Sequence, residues 1–291
     1  MSKSIQLHVT SLQGRRESNE DVEIYDLNLL TNGYAKNSAR APIDFFLICD
    51  GHGGKEVAKF ASNLLQELFM KKNLKYPLSE NQIYHIFNSI QNDLINHLFK
   101  IGLECGCTAL IVIRYSVNYN DKHIQVRNLG DSRAVMSTQG VARSLTKDHK
   151  PSWPDEKKRI CDVNKKYNLN EEIYFDGDWR IHDLSVSRAF GDIKATPHVT
   201  HIPDIFKYSL NPDDEFIIMA CDGLWDVMQN HEAVNFVKDH LDNNKIELYD
   251  IPGKYPNDES RTSKSIARKL ASYAIAIGST DNISILIIIF D

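Results

Sequence analysis

The chain has no apolar run long enough to cross a membrane; the longest, "ISILIIIF" near the C-terminus, is only strand length. The opening "MSKSIQLHVT" lacks the apolar stretch of a signal peptide. Its five cysteines are an odd number and sit mostly inside apolar runs. Reduced thiols in a cytoplasmic or nuclear protein are therefore expected, rather than a disulfide framework. Cys105 and Cys107 form a Cys-x-Cys pair without the second pair a zinc site needs, and read as small buried hydrophobes. Positive charge is also scarce: 34 lysines and arginines face 39 acids, a net charge of −5. That balance argues against a general binder of nucleic acid or of membrane surfaces. Low-complexity tracts, fixed repeats and Gly/Ser- or Pro-rich linkers are absent. Residues 1–291 thus read as one domain, large enough to bury about 75% of the surface its unfolded chain would expose.

What is present is a clear alternation of periods. "IQLHVT" and "VEIYDL" read as strands around a polar loop, and the longer loop "TNGYAKNSARAP" leads to a strand at "FFLIC". From Gly54 the period becomes helical, with Val57, Phe60, Ala61, Leu64, Leu65, Leu68 and Phe69 on one face. A second helix opens with Ser79 and Gln82 as a capping box, and its apolar stripe runs from Ile83 to Leu98 and Phe99. "TALIVIRY" and "HIQVRNLG", joined by "SVNYNDK", read as a hairpin, and "SRAVMST" as a continuation of that meander. Later come a strand at "EFIIMAC", helices at "HEAVNFVKDHL" and "SKSIARKLASYAIAI", and a last strand at "NISILIIIF". Helices in pairs and strands in hairpins imply an α+β fold with antiparallel sheets, not βαβ units.

Acids recur where the apolar strands stop. "FFLICDGHGG" and "FIIMACDGLWD" both end in Cys-Asp-Gly, placing Asp50 and Asp222 at strand ends. "NLGDSRAV" places Asp131 in a turn after a strand, "GSTDNISILII" puts Asp281 just before one, and "GRRESNED" sets Glu20 and Asp21 at the entrance to another. Acids gathered unpaired at one rim would repel and raise one another's pKa. A divalent cation removes the conflict, and hard oxygen donors suit Mg²⁺ or Mn²⁺. Two such ions sharing a carboxylate can generate hydroxide for in-line attack on phosphorus, which makes a metal-assisted phosphoester hydrolase the leading reading.

The sequence resembles the metal-dependent protein phosphatase family, the type 2C serine/threonine phosphatases. Eight stretches carry the resemblance in order, from Gly14 to Ile288: "GRRESNED", "FFLICDGHGG", "GCTALIV", "NLGDSRAV", "LTKDHKPSWPDEKKRI", "LSVSRAFGD", "FIIMACDGLWDVMQNHEAVNFV" and "GSTDNISILII". The resemblance implies a four-layer α-β-β-α sandwich, with two antiparallel sheets flanked by helix pairs. It implies two Mg²⁺ or Mn²⁺ ions in the main site and a weaker third. Asp50 would bridge the two metals, Gly51 would lend its carbonyl, and Asp222 and Asp281 would complete the first metal's ligands. Glu20 would act on the second metal through water with Asp21 in support, while Asp131 and Asp226 would serve the third. Arg16 would hold the substrate phosphate, with Arg15 a solvent-facing neighbour. His52 would protonate the leaving alkoxide, or else only hydrogen-bond a metal water. The implied activity is hydrolysis of phosphoserine and phosphothreonine in a phosphoprotein substrate, by attack of a metal-bridging hydroxide, in a monomer.

Departures cluster between Ile160 and Ser185. Cys161-Asp162-Val163 stands where the family commonly has Ala-Gly-Gly, and "RIHD" replaces a glycine before "SVSRAFGD". The resemblance makes this region correspond to the flap beside the family's active site, so substrate preference is not carried over with the metal chemistry. Asn19 stands where methionine is frequent and Cys107 where serine is, both read as packing changes. The alternative function is a pseudophosphatase that keeps the fold as a regulatory binding module; such relatives usually lose a metal acid or the phosphate arginine, and here all are present. Other phosphatase chemistries lack their signatures, since no cysteine is followed by arginine six positions on and neither Cys-Asp-Gly continues as Asp-x-Asp.

Overall fold

The computed structural model describes residues 5–27, 43–69, 71, 74–116, 122–243 and 265–290. Along the chain run β1 (Ile5–Leu12), β2 (Val22–Asp26), β3 (Asp44–Cys49) and β4 (Gly51–His52), then helices α1 (Glu56–Phe69) and α2 (Glu80–His97) and the single turn α3 (Phe99–Gly102). Strands β5 (Gly106–Cys107), β6 (Ala109–Ser116), β7 (Lys122–Leu129), β8 (Arg133–Thr138) and β9 (Val141–Ser144) follow. After α4 (Pro154–Tyr167) come β10 (Tyr174–Asp176), β11 (Asp178–Arg180), β12 (Phe190–Gly191), β13 (Asp204–Ser209) and β14 (Asp214–Ala220). The one-turn α5 (Asp222–Trp225), α6 (Asn230–Asn243), α7 (Ile266–Ala276) and β15 (Ile283–Phe290) close the chain.

Two five-stranded antiparallel sheets, ordered β13-β7-β6-β3-β2 and β1-β15-β14-β8-β9, form the middle of the molecule. Strand alternation explains why the central strands β3 and β14 are apolar over almost their whole length. In β3, Phe46 and Ile48 enter the layer between the sheets, whereas Phe45, Leu47 and Cys49 meet α1 and α2. In β14, Ile217 and Met219 face the first sheet, and Phe216, Ile218 and Ala220 pack under α6 and α7. Strands buried on both faces read as unbroken hydrophobic runs. The result is a four-layer α-β-β-α sandwich.

The capping box forms as the sequence suggested. Ser79 Oγ accepts from Gln82 N, and Gln82 Oε1 accepts from Ser79 N at 2.9 Å. The stripe of α2 ends sooner than expected, because the helix stops at His97 and Phe99, in the following turn, is 49% exposed. A second difference concerns β8. It does not continue the β6–β7 hairpin but pairs with β14 and β9 in the other sheet. The physical reason lies at Gly130, whose φ of +102° turns the chain from one layer to the other. The loop at 31–42, residues 117–121 of the hairpin connection, and residues 263–264 before α7 lie outside the described residues.

Register brings the acidic strand ends to one rim. Val22 pairs with Cys49, so Asp21, just before β2, and Asp50, just after β3, lie at the same end of the pair. Ala109 pairs with Leu129, bringing the turn of Asp131 alongside. In the second sheet Ala220 pairs with both Ile285 and Arg133, and Leu12 pairs with Ile283, which places Asp222, Asp281 and the loop of Arg16 at the same end.

Candidate active site

Asp50 sits between β3 and β4, pinned by its backbone: its N–H donates to Thr108 Oγ1 (3.1 Å) and its carbonyl accepts from Thr108 N (2.8 Å). Burial pushes its carboxyl well above the usual range, and the charges of Asp21, Asp222, Asp131 and Asp281 add to the effect. Asp222, in the first turn of α5, is raised likewise by burial and then by Asp131, Asp226 and Asp281, with Lys150 opposing. Burial also raises Asp226, at the end of that turn, against the pull of Lys150. These acids come from both sheets and are close enough to oppose one another's ionisation.

Asp21 is 1% exposed and is held at about 6 by burial, against the bond it receives from Ser284 Oγ (2.6 Å). Its Oδ1 is buried and has no partner among the described residues. One donor atom each from Asp21, Asp50 and Cys221 lie within 4.8 Å of one another. The Cys221 thiol is pushed well up by burial and neighbouring acids and directs its Sγ–H to Asn282 O (3.4 Å), so it remains a neutral neighbour of the carboxylates. Glu20, beside this group, keeps its carboxylate at the rim: Oε2 accepts from Gly54 N (3.1 Å) and Oε1 from Ser18 Oγ (3.2 Å). Gly51 must be glycine for a local reason, since a Cβ there would lie 2.6 Å from the Glu20 carbonyl oxygen.

Arg16 is 60% exposed and donates through Nη2 to Asp281 Oδ2 at 2.6 Å. Its loop is stapled by Asn282, whose Nδ2 donates to Gln13 O and Ser18 O (both 2.8 Å) and whose Oδ1 accepts from Glu20 N (2.9 Å). Arg15 is exposed and ties in through its backbone N–H to Thr280 O. Asn19 does more than pack: it donates to Ser11 Oγ (2.9 Å) and accepts from Asp21 N (3.1 Å). Cys107 is simply buried.

Two further charged residues complete the site: Lys150, which reads from sequence as part of a turn into a short helix, and Asp192. Lys150 donates to Asp131 Oδ2 at 2.5 Å and lies 3.9 Å from Asp178 on β11. Burial would lower its pKa, but Asp131 and Asp222 outweigh burial and raise it. Asp192 takes the Nε2 edge of His52, with Oδ2 at 2.8 Å and Oδ1 at 3.0 Å. Burial pulls the His52 imidazole down, yet the Asp192 bond and charge, backed by Asp131 and Glu20, hold it above the ordinary histidine value. Both residues lie inside stretches that carry the family resemblance, "TKDHKPS" and "SRAFGD", which is the signal that could have exposed them. In the divergent segment before Ser185, Arg180 braces the β10–β11 hairpin through the carbonyls of Asp183 (2.7 Å) and Asp176 (3.4 Å).

The Protein phosphatase 2C family profile matches residues 5–283. A "PP2C-like domain-containing protein R307" of Acanthamoeba polyphaga mimivirus is 65% identical over 170 residues, covering 58% of this chain and 95% of its own. "Probable protein phosphatase 2C 7" of Oryza sativa subsp. japonica is 33% identical over 97% of this chain, which spans 64% of the rice protein's length. The crystal structure of a serine-threonine phosphatase 2C from Toxoplasma gondii shares the fold, with a TM-score of 0.70 at 19% identity, covering 99% of this chain and 95% of that one. Reaching from the first residue of β1 to the first of β15, the family match takes in every element that builds the acidic rim, and the chain belongs to the protein phosphatase 2C family.

Proposed function

We propose that this chain is one catalytic domain that hydrolyses phosphoserine and phosphothreonine esters of proteins with the help of Mg²⁺ or Mn²⁺. The observation that carries the reading is the gathering of Asp21, Asp50, Asp131, Asp222, Asp226 and Asp281 at one rim, where burial, and after it the neighbouring acids, push the carboxyls of Asp50, Asp222 and Asp226 upward. The donor set fits divalent ions: it is built of hard oxygens, and the buried Asp21 Oδ1 lacks a partner among the described residues. Asp50, Gly51, Asp222 and Asp281, with Glu20 and Asp21, would hold two ions, and Asp131 and Asp226 a weaker third. Bound Mg²⁺ or Mn²⁺ supplies Lewis acidity, drawing charge from phosphoryl oxygens and acidifying water.

The remaining work falls to the chain itself. Arg16, exposed on a loop that Asn282 holds, can turn its guanidinium fork from Asp281 to the phosphoryl group, whose oxygens match the fork's spacing. His52 hands a proton to the leaving oxygen as the ester P–O bond breaks. The bonding pair stays with the serine or threonine oxygen, and water supplies the replacement oxygen on phosphorus. Proton transfer of this kind contributes on the order of 10²–10⁴ in rate.

The test is release of inorganic phosphate from a phosphothreonyl peptide with Mn²⁺, with a chelator, and in Asp50→Asn and Asp222→Asn. Near-complete loss is expected in the last three. Activity that survives chelation overturns the reading, and no release by the wild type with Mn²⁺ makes the fold a binding module.

A further inference from the structure

Three two-residue strands, β4, β5 and β12, form a small sheet of their own in the order β12-β5-β4. Gly106 on the central strand pairs with His52 on one side and Gly191 on the other. Its missing side chain is what lets the flanking residues meet. A Cβ at Gly106 would stand 2.2 Å from Asp192 Oδ2 and 2.5 Å from His52 Nε2. The gap beside this glycine is filled by the carboxylate–imidazole contact.

The carboxylate is held at some cost. Asp192 has φ of +45°, in the left-handed region that a residue with a side chain rarely adopts, and is 2% exposed. Strain of this sort persists only where surroundings over-determine it, and it clusters at functional sites. The surroundings here are specific. Asp192 N donates to Cys105 O (3.1 Å), and its carbonyl accepts from Ala195 N (2.9 Å). The preceding Gly191 is clamped from α2 by buried Gln91, which donates to its carbonyl and accepts from its N–H, both at 3.0 Å. Across 140 residues of sequence, the chain brings one carboxylate to one nitrogen of His52.

We propose that Asp192 is a positioning residue for the reaction, fixing the ring orientation of His52 and keeping the proton on Nε2 so that Nδ1 faces the leaving oxygen. This rests on the acid role given to His52 above. A buried carboxylate behind an imidazole sets which nitrogen is protonated and supports the ring through proton transfer, without itself accepting the proton. After Nδ1 gives up its proton, the ring is left as the Nε2–H tautomer that Asp192 already holds.

Two measurements test this. In the Mg²⁺-loaded wild-type protein, ¹⁵N shifts of the His52 ring should show a protonated, pyrrole-type Nε2; a bare, pyridine-type Nε2 contradicts the proposal. The second compares Asp192→Asn and His52→Gln on a phosphothreonyl peptide, whose alkoxide needs a proton, and on p-nitrophenyl phosphate, whose leaving group does not. Asp192→Asn should lower kcat on the peptide about 10²-fold, with a far smaller loss on the aryl ester and unchanged Mn²⁺ affinity. If His52→Gln discriminates between the substrates and Asp192→Asn does not, positioning by Asp192 is refuted while the acid role stands. If His52→Gln does not discriminate, the acid role falls and this proposal with it. Equal loss on both substrates in Asp192→Asn marks a merely structural contact and also refutes it.

Discussion

Replacing Glu156 should unbalance a buried ionic hub that ties α4 to the segment leading to β13. Glu156 lies in the first turn of α4 and is 3% exposed. Its Oε1 accepts from Arg188 Nε (3.0 Å) and Nη2 (2.6 Å), and its Oε2 from Arg159 Nε (3.0 Å) and Ser187 Oγ (2.7 Å). Arg188 has a second carboxylate in Asp204, at 2.8 Å, whereas Arg159 otherwise donates only to the carbonyls of Ser187 and His198 among the bonds of the described residues. The asymmetry shows in their ionisation: burial pulls both guanidiniums down, and only Arg188 is carried back above its ordinary value by its partners. Truncation to alanine would leave Arg159 charged, half-buried and without the carboxylate that faces it.

Two routes give the size of the effect. Breaking one partner out of a buried pair costs about 3–5 kcal/mol. Independently, burial would raise the Glu156 carboxyl, but Arg188 and Arg159 hold it at about 2 instead of 4.5. That depression corresponds to about 3 kcal/mol of stability at neutral pH. Glu156→Ala should therefore lose about 3–4 kcal/mol in urea unfolding at pH 7, and Glu156→Gln, which keeps the shape and an acceptor, about half of that. The sign with pH follows from the direction of the shift. A depressed carboxyl contributes fully above its unfolded value and loses that contribution as pH falls through its folded one. The gap between wild type and Glu156→Gln should thus close between about pH 4.5 and 2. A gap that stays constant with pH, or an alanine variant within about 1 kcal/mol of wild type, would show that Glu156 does not anchor this ionic hub.

Other substitutions probe the rim more directly. Gly51→Ala must displace the Glu20 backbone, and should cost about 1–3 kcal/mol and weaken Mn²⁺ binding at least about tenfold; native affinity would contradict the packing argument. Asn282→Ala removes three bonds to the loop of Arg16, so about 2–4 kcal/mol in denaturant unfolding and a raised KM for phosphopeptide are expected, and an unchanged KM would show that the loop holds itself. Arg16→Ala should impair turnover or binding of phosphoester while calorimetry still records normal Mn²⁺ uptake; normal kinetics would remove its assigned role.

Much of this arrangement could be read before any coordinates. Apolar strands that end in Cys-Asp-Gly mark both the double-sided burial of β3 and β14 and the rim where they stop. The helical stripe beginning at Val57 and the Ser79–Gln82 box likewise follow from local spacing. What could not be read depends on partners chosen in three dimensions. Ser132 to Thr138 have the pattern of any half-buried strand, and nothing local says that the turn at Gly130 sends them to the other sheet. Lys150 and Asp192 sit in quoted motifs, but a lysine after histidine or an aspartate after glycine looks like turn chemistry until Asp131 and His52 arrive beside them. Glu156, Arg159 and Arg188 look like surface charge because their pairing spans α4 and a loop about 30 residues away. The segment 168–184 offers no periodic signal, and its hairpin is held by Arg180 binding carbonyls, a device without a sequence signature.

Whether the rim binds metal is read by isothermal titration of Mn²⁺ into the wild-type protein and into Asp50→Asn, both freed of metal beforehand. The wild type should bind Mn²⁺ saturably at more than one site, and Asp50→Asn should lose the tighter event. Equal binding by the two proteins, or none by the wild type, would mean that the acids at the rim do not serve as a metal centre.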